Sequence, residues 1–293
     1  MLWMLAAILI CGASVFTACS SNDDNPFQPV VQVGIDKTNF PDDNFWNYLL
    51  EQDYGKDGVL TEAEIRNITV MDVSEKEIKS LKGIEYFTAL RTLNCSDNEL
   101  TELDISGNTA LDTLDCSYNE LTALDVSKNT ALTYLSCDDN KLTALDISKN
   151  TALTSLSCDD NKLTALDISK NTALTRLYCG FNELTSLDIS KNTALTYLYC
   201  GFNELTSLDL SKNMALENLL CFKNQISGQN MDALIGSLRQ NESEEFCAFY
   251  VMDGNEPNQN VCTKSQAAAA KAKGWLPLYW DEDEEDWLEY EGS

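Results

Sequence analysis

Cysteine returns every 21 residues seven times over, at Cys95, Cys116, Cys137, Cys158, Cys179, Cys200 and Cys221. Leu93 and its equivalents to Leu219 keep the same step, as do Asn98 and its equivalents to Asn224. A period of this length means stacked supersecondary units, none of which can bury its apolar edge alone. The chain is therefore expected to be a solenoid in which each unit leans on its neighbours, closed at both ends by segments of different sequence.

The unit reads L-x-x-L-x-C-x-x-N-x-L-T-x-L-D-I-S-K-N-T-A. It resembles a leucine-rich repeat with Cys at the third apolar position of the strand. The resemblance implies a solenoid with one parallel β-sheet, a helical EF-hand-like N-terminal cap and a small α/β C-terminal cap. The boundaries expected are a signal peptide over 1–18, a tether over 19–33, the N-terminal cap over 34–68, the solenoid over 69–227 and the C-terminal cap over 228–293. Strands are expected on Leu-x-Cys, with a second, shorter extended segment at Leu103-Asp104-Ile105-Ser106 and its repeats. Beyond Gly228 the pattern predicts helices over Asn230–Arg239 and Lys264–Lys273, a strand over Phe246–Met252 and a hairpin over Leu276–Tyr290.

Charge and histidine restrict the function. With 47 acidic and 20 basic residues the formal net charge is −27, so phosphate backbones and anionic headgroups are repelled and nucleic acid is not an expected partner. Histidine is absent, which removes the commonest general base, the Ser-His and Cys-His nucleophile pairs and imidazole metal sites. An enzyme would be left with carboxylates, Lys or Tyr. A carboxylate-only glycosidase is the enzyme alternative, and the sequence shows no two acids in visibly different environments, as that chemistry requires.

Residues 2–18 are apolar or small and end in Phe16-Thr17-Ala18-Cys19. The segment resembles a bacterial lipoprotein signal with its lipobox, which implies that Cys19 becomes the acylated first residue. Phe16 stands where Leu is usual, and no Lys or Arg precedes the apolar run; an uncleaved N-terminal anchor is the other reading. Ser20-Ser21-Asn22-Asp23-Asp24 is similar to the acidic tag of lipoproteins carried to the outer face of the outer membrane. The expected location is the outer membrane, surface exposed, with membrane contact through a lipid anchor.

Asp53 to Glu64 resembles an EF-hand calcium loop, with Asp53 and Asp57 at positions one and five, Gly58 at six, Val59 at seven and Glu64 at twelve. Gly55 leaves the third position without an oxygen. The resemblance implies weak calcium binding through Asp53, Asp57, the Val59 carbonyl and Glu64. The same residues also read as a helix start, with Thr61 and Glu64 as a capping box.

The repeated columns look chemical but have structural readings. In-register parallel strands put neighbouring Cβ atoms about 4.8 Å apart and pointing the same way, too far for a disulfide, so the Cys row is expected to be buried core. Cys247 and Cys262 lie outside the row, and a bond between them is left open. The Asn row is expected to satisfy backbone groups inside the coil. Asp104, Asp125, Asp146, Asp167, Asp188 and Asp209 form a carboxylate row, which Lys128, Lys149, Lys170, Lys191 and Lys212 are placed to neutralise. The acidic run Asp281–Asp286 between Trp280 and Trp287 reads as a solvated hairpin loop, with a calcium or cationic-partner site as the alternative.

Variation gathers on the outward strand positions of the expected concave face. Asp138-Asp139 and Asp159-Asp160 make an acidic patch there. Tyr134, Arg176, Tyr178, Phe181, Tyr197, Tyr199 and Phe202 make an aromatic one, with Tyr178, Tyr199 and Phe202 expected as a row of rings about 5 Å apart. Tyr and Arg clustered on an exposed surface are typical of interface hot spots. The function expected is non-catalytic binding or adhesion at the cell surface. A monomer is expected to recognise a protein partner through the concave face, with glycan capture as the alternative.

Overall fold

The computed structural model describes residues 32–243, 247–253, 260–281, 284 and 286–293. The signal segment, Cys19 and the tether up to residue 31 lie outside the described residues. Gln32 and Val33, assigned above to the tether, instead form strand β1 (Gln32–Gly34) with Gly34 and pair antiparallel with β2 (Val59–Thr61).

The repeat builds one sheet. Strand β3 (Val70–Asp72) precedes seven three-residue strands, β4 (Thr92–Asn94), β5 (Thr113–Asp115), β6 (Tyr134–Ser136), β7 (Ser155–Ser157), β8 (Arg176–Tyr178), β9 (Tyr197–Tyr199) and β10 (Asn218–Leu220), here numbered as coils one to seven. Each pairs in parallel with the next, and from β4 to β10 every residue faces its equivalent 21 positions on, Leu156 against Leu177 for example. The middle residue of each strand is a Leu with no exposure, followed two positions later by a fully buried Cys. Leu or Ile side chains from the rest of the coil complete the interior, as Leu163, Leu166 and Ile168 do in coil four. The Leu103–Ser106 segment and its repeats form no second sheet among the described residues; each ends in a turn at the following Asn.

Two caps cover the apolar ends. Helix α1 (Asp43–Glu51) starts at Asp42, whose Oδ1 accepts from the backbone N–H groups of Asn44 and Phe45. Its Oδ2 accepts from the N–H groups of Lys79 and Ser80, so one carboxylate caps the helix and ties it to the solenoid. Phe45 and Leu49 on the buried face of α1, with Phe40 edge-on to Phe45 at 5.7 Å, seal the first coil. Helix α2 (Glu62–Asn67) follows β2.

At the far end, helix α3 (Gly228–Ser237) leads to β11 (Cys247–Asp253), which adds in parallel to β10. Helix α4 (Lys264–Ala272) then leads to β12 (Trp275–Asp281), parallel to β11, and β13 (Asp286–Glu289) turns back antiparallel. Trp275, Phe249, Val251 and Ala270 close the core.

Candidate functional site

The two polar columns are internal scaffolding. Asn161 is typical of the first: its Nδ2 donates to the carbonyls of Cys137, Cys158 and Asp159 at 3.0, 3.3 and 3.0 Å, and its Oδ1 accepts from Leu142 N at 3.0 Å. Asn260 in the cap repeats this one coil further on, donating to Cys221 and Val251 and accepting from Ile226. A second buried row, Asn108, Asn129, Asn150, Asn171, Asn192 and Asn213, went unremarked in the sequence. Each Nδ2 donates to two carbonyls of the preceding coil, while each Oδ1 is buried without a partner.

The Cys row is buried as expected, and Sγ of Cys95, Cys116, Cys137, Cys158 and Cys179 donates to a carbonyl of the next coil at 3.4–3.5 Å. Burial pushes these thiols up, so they are not thiolate nucleophiles. Cys247 and Cys262 are unbonded thiols. The Asp row is held differently from the expectation. Each carboxylate accepts from the N–H of the Ser two residues on, as Asp146 does from Ser148 at 2.9 Å, and the Ser groups hold it below the usual range. Among the described residues no ion pair joins it to Lys128, Lys149, Lys170, Lys191 or Lys212. A turn fixes a donor two positions away, whereas an exposed lysine gains little by being held.

The EF-hand-like donors do not converge. Asp53 is exposed and paired with Lys56 at 2.5 Å, and Asp57 accepts from Val59 N at 3.1 Å. Glu64 Oε2 accepts from both the N–H and the hydroxyl of Thr61 at 2.8 Å, completing the capping box of α2. Among the described residues no three acids or thiols are grouped to hold a metal. In this conformation the loop serves the capping role through Thr61 and Glu64.

The outward strand positions carry the side chains that scaffolding does not use. Tyr134 and Phe181 are exposed at 38% and 43%, Arg176 is exposed, and Tyr178, Tyr197, Tyr199 and Phe202 are half-buried. The structure brings the rings of coils five and six together, but not as the single row expected, and among the described residues Tyr134 on coil three joins none of these ring pairs. Tyr178 packs on Tyr197 at 4.9 Å, Phe181 stacks on Phe202 at 3.9 Å, and Tyr199 lies against Phe222 at 5.9 Å. The reason is Tyr199, whose ring lies over two backbones. A Cβ on Gly180 would come within 2.6 Å of that ring, and one on Gly201 within 2.9 Å. These glycines replace the Asp138 and Asp159 of earlier coils and clear the floor beneath the ring.

The aromatic surface also extends further than sequence reasoning placed it. Phe222 meets Trp287 at 4.9 Å, Trp287 meets Tyr250 at 4.8 Å, and Trp280 meets Trp287 at 5.6 Å. On the other flank Asp138 and Asp159 are largely buried on adjoining coils. Asp138 Oδ1 accepts from Asp159 N at 2.8 Å, and Asp159 Oδ1 from Gly180 N at 2.5 Å. Burial, then the nearby Asp138, pushes Asp159 up to about 8. Asp139 and Asp160 point to solvent from the following turn positions.

A scan against protein-family models gives no match, and neither does a search of curated proteins. Solved structures do match. Internalin C2 of Listeria monocytogenes superposes with a TM-score of 0.62 at 22% identity, over 69% of this chain and 93% of that one. The fold is a leucine-rich repeat. A functional domain of InlJ from Listeria monocytogenes, described as including a cysteine ladder, matches at 30% identity with a TM-score of 0.45, over 78% of this chain. This chain spans 59% of that domain's length. The leucine-rich-repeat ectodomain of the plant receptor kinase GASSHO1/SCHENGEN3 from Arabidopsis thaliana, solved in complex with CASPARIAN STRIP INTEGRITY FACTOR 2, matches at 20% identity with a TM-score of 0.52, over 70% of this chain and 26% of that one. Within the leucine-rich-repeat frame the aromatic surface sits on the outward side of the sheet. A shallow depression of about 250 Å³ near Asp188, Asp209 and Lys212 lies instead along the turn segments, where both carboxylates are already held by Ser.

Proposed function

We propose that the protein is a non-catalytic scaffold, anchored at the cell surface, that binds a protein partner through the strand face of coils five to seven. The Phe181–Phe202 pair carries this reading. Both residues adopt left-handed backbone, with φ 46° and 51°, as the same turn position does in every coil from Asp97 to Lys223, Tyr118 among them. Asp tolerates that conformation, whereas a bulky side chain there costs on the order of 1 kcal/mol. The chain thus carries strain to hold two stacked rings partly in water, where polar residues would be easier. Strain kept at an exposed site supports a binding role. The plant ectodomain, whose structure was determined with a bound factor, supports the use of this architecture for such recognition.

Phe181→Asn with Phe202→Asn is the test. Relief of strain and loss of about 1 kcal/mol of ring stacking nearly cancel, so the melting temperature is expected to change little. Binding to a partner identified by crosslinking to the parent protein is expected to fall about thirtyfold or more. Unchanged affinity would remove the site. Retained binding to a neutral oligosaccharide array instead would favour the glycan reading.

Anchoring rests on the lipobox-like end around Cys19, outside the described residues. Mass spectrometry of membrane-extracted protein is expected to show an acylated N-terminal Cys19, and Cys19→Ala to release the chain. Soluble protein whose N-terminus lies beyond Cys19 would contradict it.

A further inference from the structure

We infer that the recognition surface runs past the last repeat onto the β12–β13 hairpin, and that it receives a basic polypeptide segment with apolar side chains between its charges. This rests on the strand-face reading above and adds to it a second anchor and a partner chemistry.

The first observation is that the hairpin tryptophans are surplus to closing the core. Trp275, Phe249 and Val251 seal the last coil with 1% exposure or less. Trp280 and Trp287 sit opposite each other across β12 and β13 and stay half-exposed. Their rings continue the surface already described, because Trp287 reaches both Phe222 and Tyr250. Tyr250 pairs in register with Leu220, which pairs with Tyr199, so Tyr250 projects from the same side of the sheet as the repeat tyrosines. Rings set by the repeat alone would follow the 21-residue period; these instead meet through strand pairing in the cap, which gives the surface a defined end.

The second observation is charge. Exposed Glu183 and Glu204 follow Phe181 and Phe202 by two residues, and exposed Glu284 and Asp286 border the tryptophans, in a chain of formal charge −27. Arg176 and Lys223 are cations on this side, and exposed Lys162 stands one coil before Glu183 in the same column. An acidic rim around aromatic rings attracts Lys and Arg, whose charge is bound by the rim and by the ring faces of Trp together. Ring stacking disfavours a sugar. Phe181 and Phe202 lie face to face with 12° between their planes, so one face of each is spent on the other and not free for a pyranose.

Fluorescence anisotropy on the full chain tests the inference with three labelled octapeptides, alternating Arg–Trp, Arg–Ser and Glu–Trp, and with chitohexaose as competitor. Arg–Trp is expected to bind at least about tenfold more tightly than either other peptide, and to weaken as salt rises from about 50 to about 300 mM. Trp287→Ala and Trp280→Ala are each expected to lose about fivefold or more, as is Phe181→Asn. Trp280→Ala, whose ring touches Trp287 alone among these aromatics, guards against a misfolded cap, and circular dichroism melts check both variants. Loss with Phe181→Asn but none with either Trp variant would overturn the hairpin extension and leave the strand-face site standing. Equal binding of Glu–Trp and Arg–Trp would overturn the basic partner. Indifference of all peptides to every variant would overturn both readings, and displacement of Arg–Trp by chitohexaose would overturn the polypeptide class.

Discussion

Asn161→Ala is expected to destabilise the protein by about 3 kcal/mol, although the side chain touches no candidate ligand site. The carbonyls it serves are shared between rungs. Cys137 O also receives Asn140, and Cys158 O also receives Asn182, so each keeps one donor when Asn161 is gone. Leu142 N has no such reserve, since Asn161 Oδ1 is its acceptor inside the coil. An orphaned buried N–H costs about 1–3 kcal/mol, and the space left by the amide adds to it. Asn161→Asp is expected to be worse at neutral pH, because a carboxylate cannot donate to three carbonyls and lies beside the turn of Asp159. Thermal melts should show a loss on the order of 10 °C for Ala, with a broadened transition as the interior coil uncouples its neighbours. A loss below about 1 kcal/mol would mean that water replaces the rung and that the ladder is not what joins the coils.

That rung was legible in the sequence because a strict period makes one residue's environment the environment of seven. Leu-x-Cys strands, the buried thiols and the capped ends follow from the same logic. Spacing leaves the role open where one residue type can serve two at the same separation. Glu64 is both the twelfth position of an EF-hand loop and the third residue of a capping box, and only the fold shows its oxygen on Thr61. Asp146 has Ser148 and Lys149 within reach, and spacing alone does not reveal that a turn N–H outcompetes a long solvated side chain. Tyr250, Trp280 and Trp287 lie outside the period, and Phe222, directly after Cys221, is the one aromatic residue in its column. They become neighbours only once β11 adds to β10 and the hairpin folds back. One signal was present and unread: Gly180 and Gly201 stand directly after Cys where the four preceding coils carry Ser or Asp, and a side chain lost from one position in two successive repeats means that something lies across it.

The missing side chains of those two coils leave Asp159 at the border between the acidic and aromatic halves, and its replacement by Asn is expected to stabilise the protein at neutral and alkaline pH. Burial and the adjoining Asp138 push Asp159 up to about 8, while Asp138 is itself raised, chiefly by burial. The folded state therefore holds the Asp159 proton more tightly than the unfolded chain, whose carboxyl titrates near 3.8. Below that value both states are protonated, and the group imposes no penalty. As pH rises from there through the folded value, the unfolded chain ionises freely while the folded one resists, so stability is lost across this window and levels off above about 8. In the Asp159→Asn variant the side-chain amide keeps an oxygen for Gly180 N and carries no charge toward Asp138. At pH 8 the variant is expected to be more stable by about 2 kcal/mol, or several degrees of melting temperature, and at about pH 3.5 to match the parent. Asp160→Asn, on the exposed side of the same turn, is expected to shift neither curve by more than about 0.5 kcal/mol. Chemical denaturation at a series of pH values reads the difference directly. Parallel curves for the parent and Asp159→Asn would show that the carboxylate is solvated in the folded protein, and the acidic half of the strand face would then be an ordinary charged surface.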